Sequence, residues 1–135
     1  MRILNKEDAV TLTELSNERK LFFSISFPNL NWESFYVLGL NKDKHIFDIE
    51  KSLICSLQCQ NDIFSLVEKS KQMAEVEIDL SEAGQNGIWH IVFVLHQEEP
   101  LSQFYNGQLE MRDRDGVLFR CPLPVGAVQD NYLHF

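Results

Sequence analysis

Glu75, Glu77 and Asp79 occupy alternate positions in the stretch Glu-Val-Glu-Ile-Asp-Leu. On a β-strand, side chains two apart share a face at roughly 6.7 Å, so the three carboxylates form a row about 13 Å long. That spacing is comparable with successive phosphates along a nucleic-acid strand. A row of this kind fits the phosphate-binding cleft of a basic nuclease. Charges on an edge strand also discourage aggregation, and cross-strand ion pairs with Arg112, Arg114 or Arg120 would neutralise the row without any partner.

Other reactive residues are more scattered. Cys55 and Cys59 are four apart, and His45, His90 and His96 are available. A zinc site needs four converging ligands, or three and a water. On an alternating strand the two thiols stand nearly 13 Å apart, and His90 and His96 about 20 Å apart, too far to share a metal. Glu98 and Glu99 follow His96 and precede Pro100, as expected of a solvated loop. Asp113-Arg114-Asp115 reads as a charged hairpin tip. The chain contains no G-x-S-x-G, Gly-rich phosphate loop, H-E-x-x-H or EF-hand loop. No metal or cofactor is expected. Trp32 lies in Asn-Leu-Asn-Trp-Glu, and Phe104-Tyr105 precede Asn106-Gly107. Aromatic side chains on loops can anchor an interface.

The charge is uneven. Twelve Lys and Arg stand against twenty Asp and Glu, a net charge of −8. Residues 1–71 carry −1 of it and residues 72–135 carry −7. From residue 72 to residue 111 there is no Lys or Arg, while Glu75, Glu77, Asp79, Glu82, Glu98, Glu99 and Glu110 fall in that stretch. Nucleic-acid binders draw affinity from neutralising phosphates, so an acidic chain is a poor candidate, and an anionic membrane repels it as well. A solubility surface, or a face that meets a basic partner, fits better.

These residues need elements to position them. The 135 residues suit one domain over 1–135. Hydrophobic residues make up 44%, which excludes intrinsic disorder, and no apolar run reaches the length of a membrane span. The first residues turn acidic before an apolar stretch develops, unlike a secretory leader. With three cysteines and no such leader, Cys55, Cys59 and Cys121 are expected to be reduced and buried, in a cytoplasmic protein.

Asn5, Glu7 and Asp8 look like a helix start, and Arg19-Lys20 like its end, so a helix is predicted over 5–20. Alternation then predicts strands over 21–27, 34–40 and 45–49. Residues 50–60 fit either period, with a lean to strand. Ile63, Phe64 and Val67 predict a second helix over 61–72. Strands follow at 75–80, with Val76, Ile78 and Leu80 inward and the three acids outward, and at 88–95, covered on both faces. Residues 108–112 and 117–121 form a hairpin, ended by Pro122 and Pro124. Tyr132, Leu133 and Phe135 tie down the tail. The expected class is α+β: a mainly antiparallel sheet of about six to eight strands, with the N-terminal helix and the helix near 61–72 against it.

Small size, acidity, a reducing compartment and the lack of catalytic motifs give the chain the general character of the immunity proteins that bacteria make against secreted toxins, including those of contact-dependent growth inhibition. The chain resembles them in character rather than through a motif. The resemblance implies a basic protein partner, most simply a cationic nuclease domain whose cleft the acidic row covers. The expected contact residues are Glu75, Glu77, Asp79, Glu82, Glu98, Glu99, Trp32 and Tyr105. Two other classes fit the composition. One is an enzyme or small-ligand protein with a pocket gathering His90, Glu98 or Tyr105. The other is an adaptor subunit with one large apolar patch.

Overall fold

Strict alternation organises the molecule around a strand near its N-terminus. In the computed structural model, residues 2–3, 10–27, 35–46, 53–54, 61–70, 73–96, 107–123 and 132–134 are described. Leu21, Phe23 and Ile25 of the strand Lys20–Ser26 are buried, while Phe22 and Ser24 are half-buried. The same period governs Met73–Asp79, where Ala74, Val76 and Ile78 are buried, and the hairpin Gly107–Asp113 and Gly116–Leu123.

In chain order the elements are β1 (Arg2–Ile3), α1 (Leu12–Leu15), β2 (Lys20–Ser26), β3 (Phe35–Leu40), β4 (Leu53–Ile54), β5 (Phe64–Lys69), β6 (Met73–Asp79), α2 (Leu80–Gln85), β7 (His90–His96), β8 (Gly107–Asp113), β9 (Gly116–Leu123) and β10 (Tyr132–His134). One sheet has the order β1-β9-β8-β2-β6-β5, the other β10-β7-β3-β4. All pairings are antiparallel except the two-residue match of β1 with β9.

The chain is an α+β domain built mainly of antiparallel sheet. Seven of the described strands have six or more residues. Both sheets contribute to one hydrophobic core. Phe93 of β7 joins them: its ring lies 5.1 Å from that of Phe23 in β2 and stacks at 6.3 Å on Phe35 of β3. The inner faces thus cover each other, and the two described helices are short, α2 directly following β6.

Five expectations change, the first being that the strand over 75–80 ends at Asp79, which caps α2, so Leu80 opens that helix instead of ending the strand. The helix predicted over 61–72 is the strand β5, paired with β6 through Phe64↔Ile78, Ser65↔Glu77 and Leu66↔Val76. Its helical spacing came from Ile63, Phe64 and Val67. A register shift between Leu66 and Glu68 leaves Val67 half exposed, and pairing with β6 overrides the local pattern.

The helix predicted over 5–20 is described only as the turn Leu12–Leu15, with 4–9 outside the described residues. Its polar second half is drawn into distant contacts instead. The Ser16 hydroxyl donates to Asp113 Oδ2 at 2.7 Å, and Arg19 turns to Asp79.

The strand predicted over 45–49 does not include His45 and Ile46, and 47–49 lie outside the described residues. Pro122 does not end β9, which runs to Leu123.

Other expectations hold. Residues 108–112 and 117–121 form the predicted hairpin, and Tyr132–His134 pairs with β7. Within 50–60, Leu53 and Ile54 are strand.

Candidate acidic interface

The acidic row lies on β6 as its alternation requires. It faces away from the core, across from β2 on one side and β5 on the other. The expectation of a solvent-facing row needs correction, because Glu75 is only 7% exposed and Asp79 only 6%. Each of the three acids has a cation, drawn from the neighbouring β2, its lead-in or β8 beyond it. Arg112 of β8 reaches across β2 to Glu75, with its guanidinium 4.6 Å from the centre of the Phe22 ring. Lys20 Nζ lies 3.1 Å from Glu77. Arg19 Nε donates to both oxygens of Asp79, at 2.8 and 3.0 Å.

The neutralising cations are therefore Arg112, Lys20 and Arg19. Of the three arginines considered from sequence, only Arg112 serves the row. Arg120 pairs with Glu110 at 2.7 Å and Arg114 with Glu18 at 3.1 Å. Repulsion along the strand is met by Arg19 and Lys20 at the start of the adjoining β2 and by Arg112 from β8, one strand further on.

Asp79 does a second job. Its Oδ1 accepts the backbone N–H of Glu82 at 3.0 Å and so caps α2. Burial pushes its carboxyl up, but the Arg19 hydrogen bond, the Glu82 and Ser81 N–H groups and the Arg19 charge outweigh that and hold it below the ordinary carboxylate range. It is an anion at neutral pH, suited to fixing charge and not to donating a proton.

Where β2, β5 and β6 meet the start of α2, the outer surface opens into a groove of about 370 Å³. Asp62, Glu77, Asp79 and Glu82 line it, against Arg19 and Lys20. Asp62 is exposed, while Glu77 and Glu82 are partly exposed. Four carboxylates to two cations leave the groove negative, in a position open to a large partner.

Among the expected contact residues, Glu77, Asp79 and Glu82 come together here, and Glu75 sits further along the row, closed off by Arg112. Glu98, Glu99, Trp32 and Tyr105 lie outside the described residues. The pocket imagined around His90, Glu98 and Tyr105 has only His90 among the described residues, and His90 does not line the groove. Cys121 is a buried thiol on β9, as expected, and Cys55 and Cys59 lie outside the described residues. No helix among the described residues is long and apolar enough to cross a membrane.

Sequence reasoning missed Asp62, Arg19 and Trp89. The first two gain meaning only from pairing across the sheet. The expected covered strand over 88–95 includes Trp89, but β7 begins at His90 and Trp89 is 65% exposed. The signal lay in Gly87, whose φ of 76° makes a turn just ahead of it and leaves the Trp at the mouth of the strand. No protein family, curated protein or solved structure matches the chain.

Proposed function

We propose that this chain is a small acidic binding protein that neutralises a basic protein partner, most simply a cationic nuclease domain blocked in the manner of a toxin immunity protein acting in the cytoplasm. The observation that carries the reading is the open groove in which Asp62, Glu77, Asp79 and Glu82 outnumber Arg19 and Lys20. The net charge of −8 adds long-range attraction for a cationic partner.

Within this reading the acids divide by role. Glu75 and Asp79 are held by arginines and keep the outer surface in shape. Asp62, Glu77 and Glu82 reach solvent and meet the partner. Glu98, Glu99, Trp32 and Tyr105 stay in the proposed contact set on the strength of their sequence positions.

The test uses a cationic nuclease domain encoded beside this chain's gene. Equimolar protein should abolish its nuclease activity. Asp62→Lys combined with Glu82→Lys should slow association by about tenfold, with the effect shrinking as salt rises, because the Debye length falls from about 10 Å at 0.1 M to about 3 Å at 1 M. Full inhibition by the double variant at the original association rate would remove the groove from the interface. Failure to inhibit any such domain would reject the reading.

A further inference from the structure

The same end of the molecule carries two surfaces of opposite character, joined by α2. On one side is the acidic groove at the start of α2. On the other is Trp89, tied to the end of α2 through Ile88, whose N–H donates to Ala83 O at 3.0 Å. The Trp89 N–H donates to Leu40 O at 2.8 Å, which sets it beside the turn that follows β3. Lys42 Nζ lies 5.6 Å from the centre of the Trp89 ring. Residues 42–46 are all exposed, and Ile46 is 47% exposed.

This turn is firmly built. Asn41 Oδ1 accepts the N–H groups of Asp43 and His45 at 2.9 and 3.0 Å, and Asn41 N–H donates to His45 O at 2.9 Å. Lys44 is held at a φ of 65°, a conformation non-glycine residues seldom adopt. The turn therefore presents Lys42 and Lys44, with Asp43 between them, beside a largely exposed indole. A largely exposed Trp on an ordered backbone is a residue type that anchors interfaces, and the lysines beside it supply charge for the rim.

Among the described residues of this turn Lys42 and Lys44 outnumber Asp43, in a protein of net charge −8, so this surface complements an acidic one. Among the described residues an acidic surface is at hand in the groove across α2. A second copy of the chain offers both at once. In a two-fold contact the turn of each copy would meet the groove of the other, because an isologous interface pairs the same self-complementary patch on both copies. We infer that two copies of this chain associate through this end, with Lys42, Lys44 and Trp89 of each copy set against Asp62, Glu77 and Glu82 of the other. At physiological salt the Debye length is about 8 Å, so the overall like charges are largely screened while close contacts are not. The inference stands apart from the immunity reading. Where both hold, self-association covers the groove that the basic partner needs, and the partner has to displace the second copy.

Sedimentation velocity on the purified full chain, from about 10 to 500 µM in 0.15 M salt, reads the association constant directly. Wild type should shift from monomer to dimer across that range. Lys42→Glu with Lys44→Glu should weaken the dimer by about tenfold or more, as should Asp62→Lys with Glu82→Lys. Carrying all four changes in one chain should restore association to within about threefold of wild type, because the complementarity is then reversed and not removed. Trp89→Ala should weaken the dimer while leaving the monomer's thermal melt unchanged, which separates contact loss from misfolding. A wild type that stays monomeric overturns the inference. So does a dimer that tolerates both reversals, or one that the fourfold exchange fails to restore.

Discussion

Arg19 grips Asp79 with a single nitrogen, Nε donating to Oδ2 at 2.8 Å and to Oδ1 at 3.0 Å, and so ties the lead-in of β2 to the junction of β6 with α2. The same Oδ1 caps the helix through Glu82 N–H. One carboxylate thus fixes a strand end, a helix start and one wall of the groove. Asp79→Ala should lower stability by about 1–2 kcal/mol, the usual range for a lost cap, while Asp79→Asn, which keeps an acceptor oxygen, should lower it less. Urea melts of the two variants check this.

Acid should act through the same residue. The Asp79 carboxyl is held below the ordinary range, with burial opposing and Arg19 and the helix N–H groups prevailing. Asp113 is also held down, first by the Ser16 hydroxyl and then by the Asp115 N–H. A group whose folded pKa is depressed contributes stability that is present above the unfolded pKa, about 4, and is lost as pH falls through the folded value. Stability should therefore fall below about pH 4, with a shallower slope in Asp79→Asn and in Asp113→Asn. Denaturant melts from neutral pH down to strong acid measure the slope.

Glu75 depends on Arg112. The carboxylate is buried, and the guanidinium that meets it also lies over the Phe22 ring. Arg112→Ala leaves that acid without its cation and should destabilise by about 1–3 kcal/mol, the cost of stranding a buried polar group. Removing both side chains should cost less than the sum of the single losses. A double-mutant cycle by chemical denaturation gives the coupling.

Phe93 should be the most sensitive position in the core. It alone makes described ring contacts with both Phe23 of one sheet and Phe35 of its own. Phe93→Ala should cost about 3–5 kcal/mol, as large aromatic truncations do. A fall in the thermal midpoint, with loss of near-ultraviolet dichroism at lower temperature, is the expected reading.

Gly107 admits no side chain. A Cβ there would lie within 2.5 Å of three carbons of the Phe27 ring, which is itself fully buried. Gly107→Ala should destabilise by about 1–3 kcal/mol through forced repacking. Gly84, whose Cβ would meet nothing within 4 Å, is the control: Gly84→Ala in α2 should be neutral or slightly stabilising.

What the sequence determined by itself is the set of alternating strands. Leu21, Phe23 and Ile25, then Val76 and Ile78, then Leu109 and Met111 put their apolar faces on record, because a period of two is a local property of the chain. The turn dipeptide Asp115-Gly116 likewise placed the β8–β9 hairpin. Tertiary structure decided the rest. Residues 64–69 carry spacing that serves a helix, and only pairing with β6 makes them a strand.

The acidic row was legible as a row, but not its environment. Nothing local to Glu75 or Asp79 says that Arg112 and Arg19, 37 and 60 residues away in sequence, arrive from β8 across β2 and from the lead-in of β2 and take them out of solvent. Asp62, unremarkable in sequence, joins the groove for the same reason. Side-chain direction is set by the strand a residue occupies. Whether a charge is spent within the fold or left for a partner is set by which other strands come alongside, and that is a property of the folded sheets.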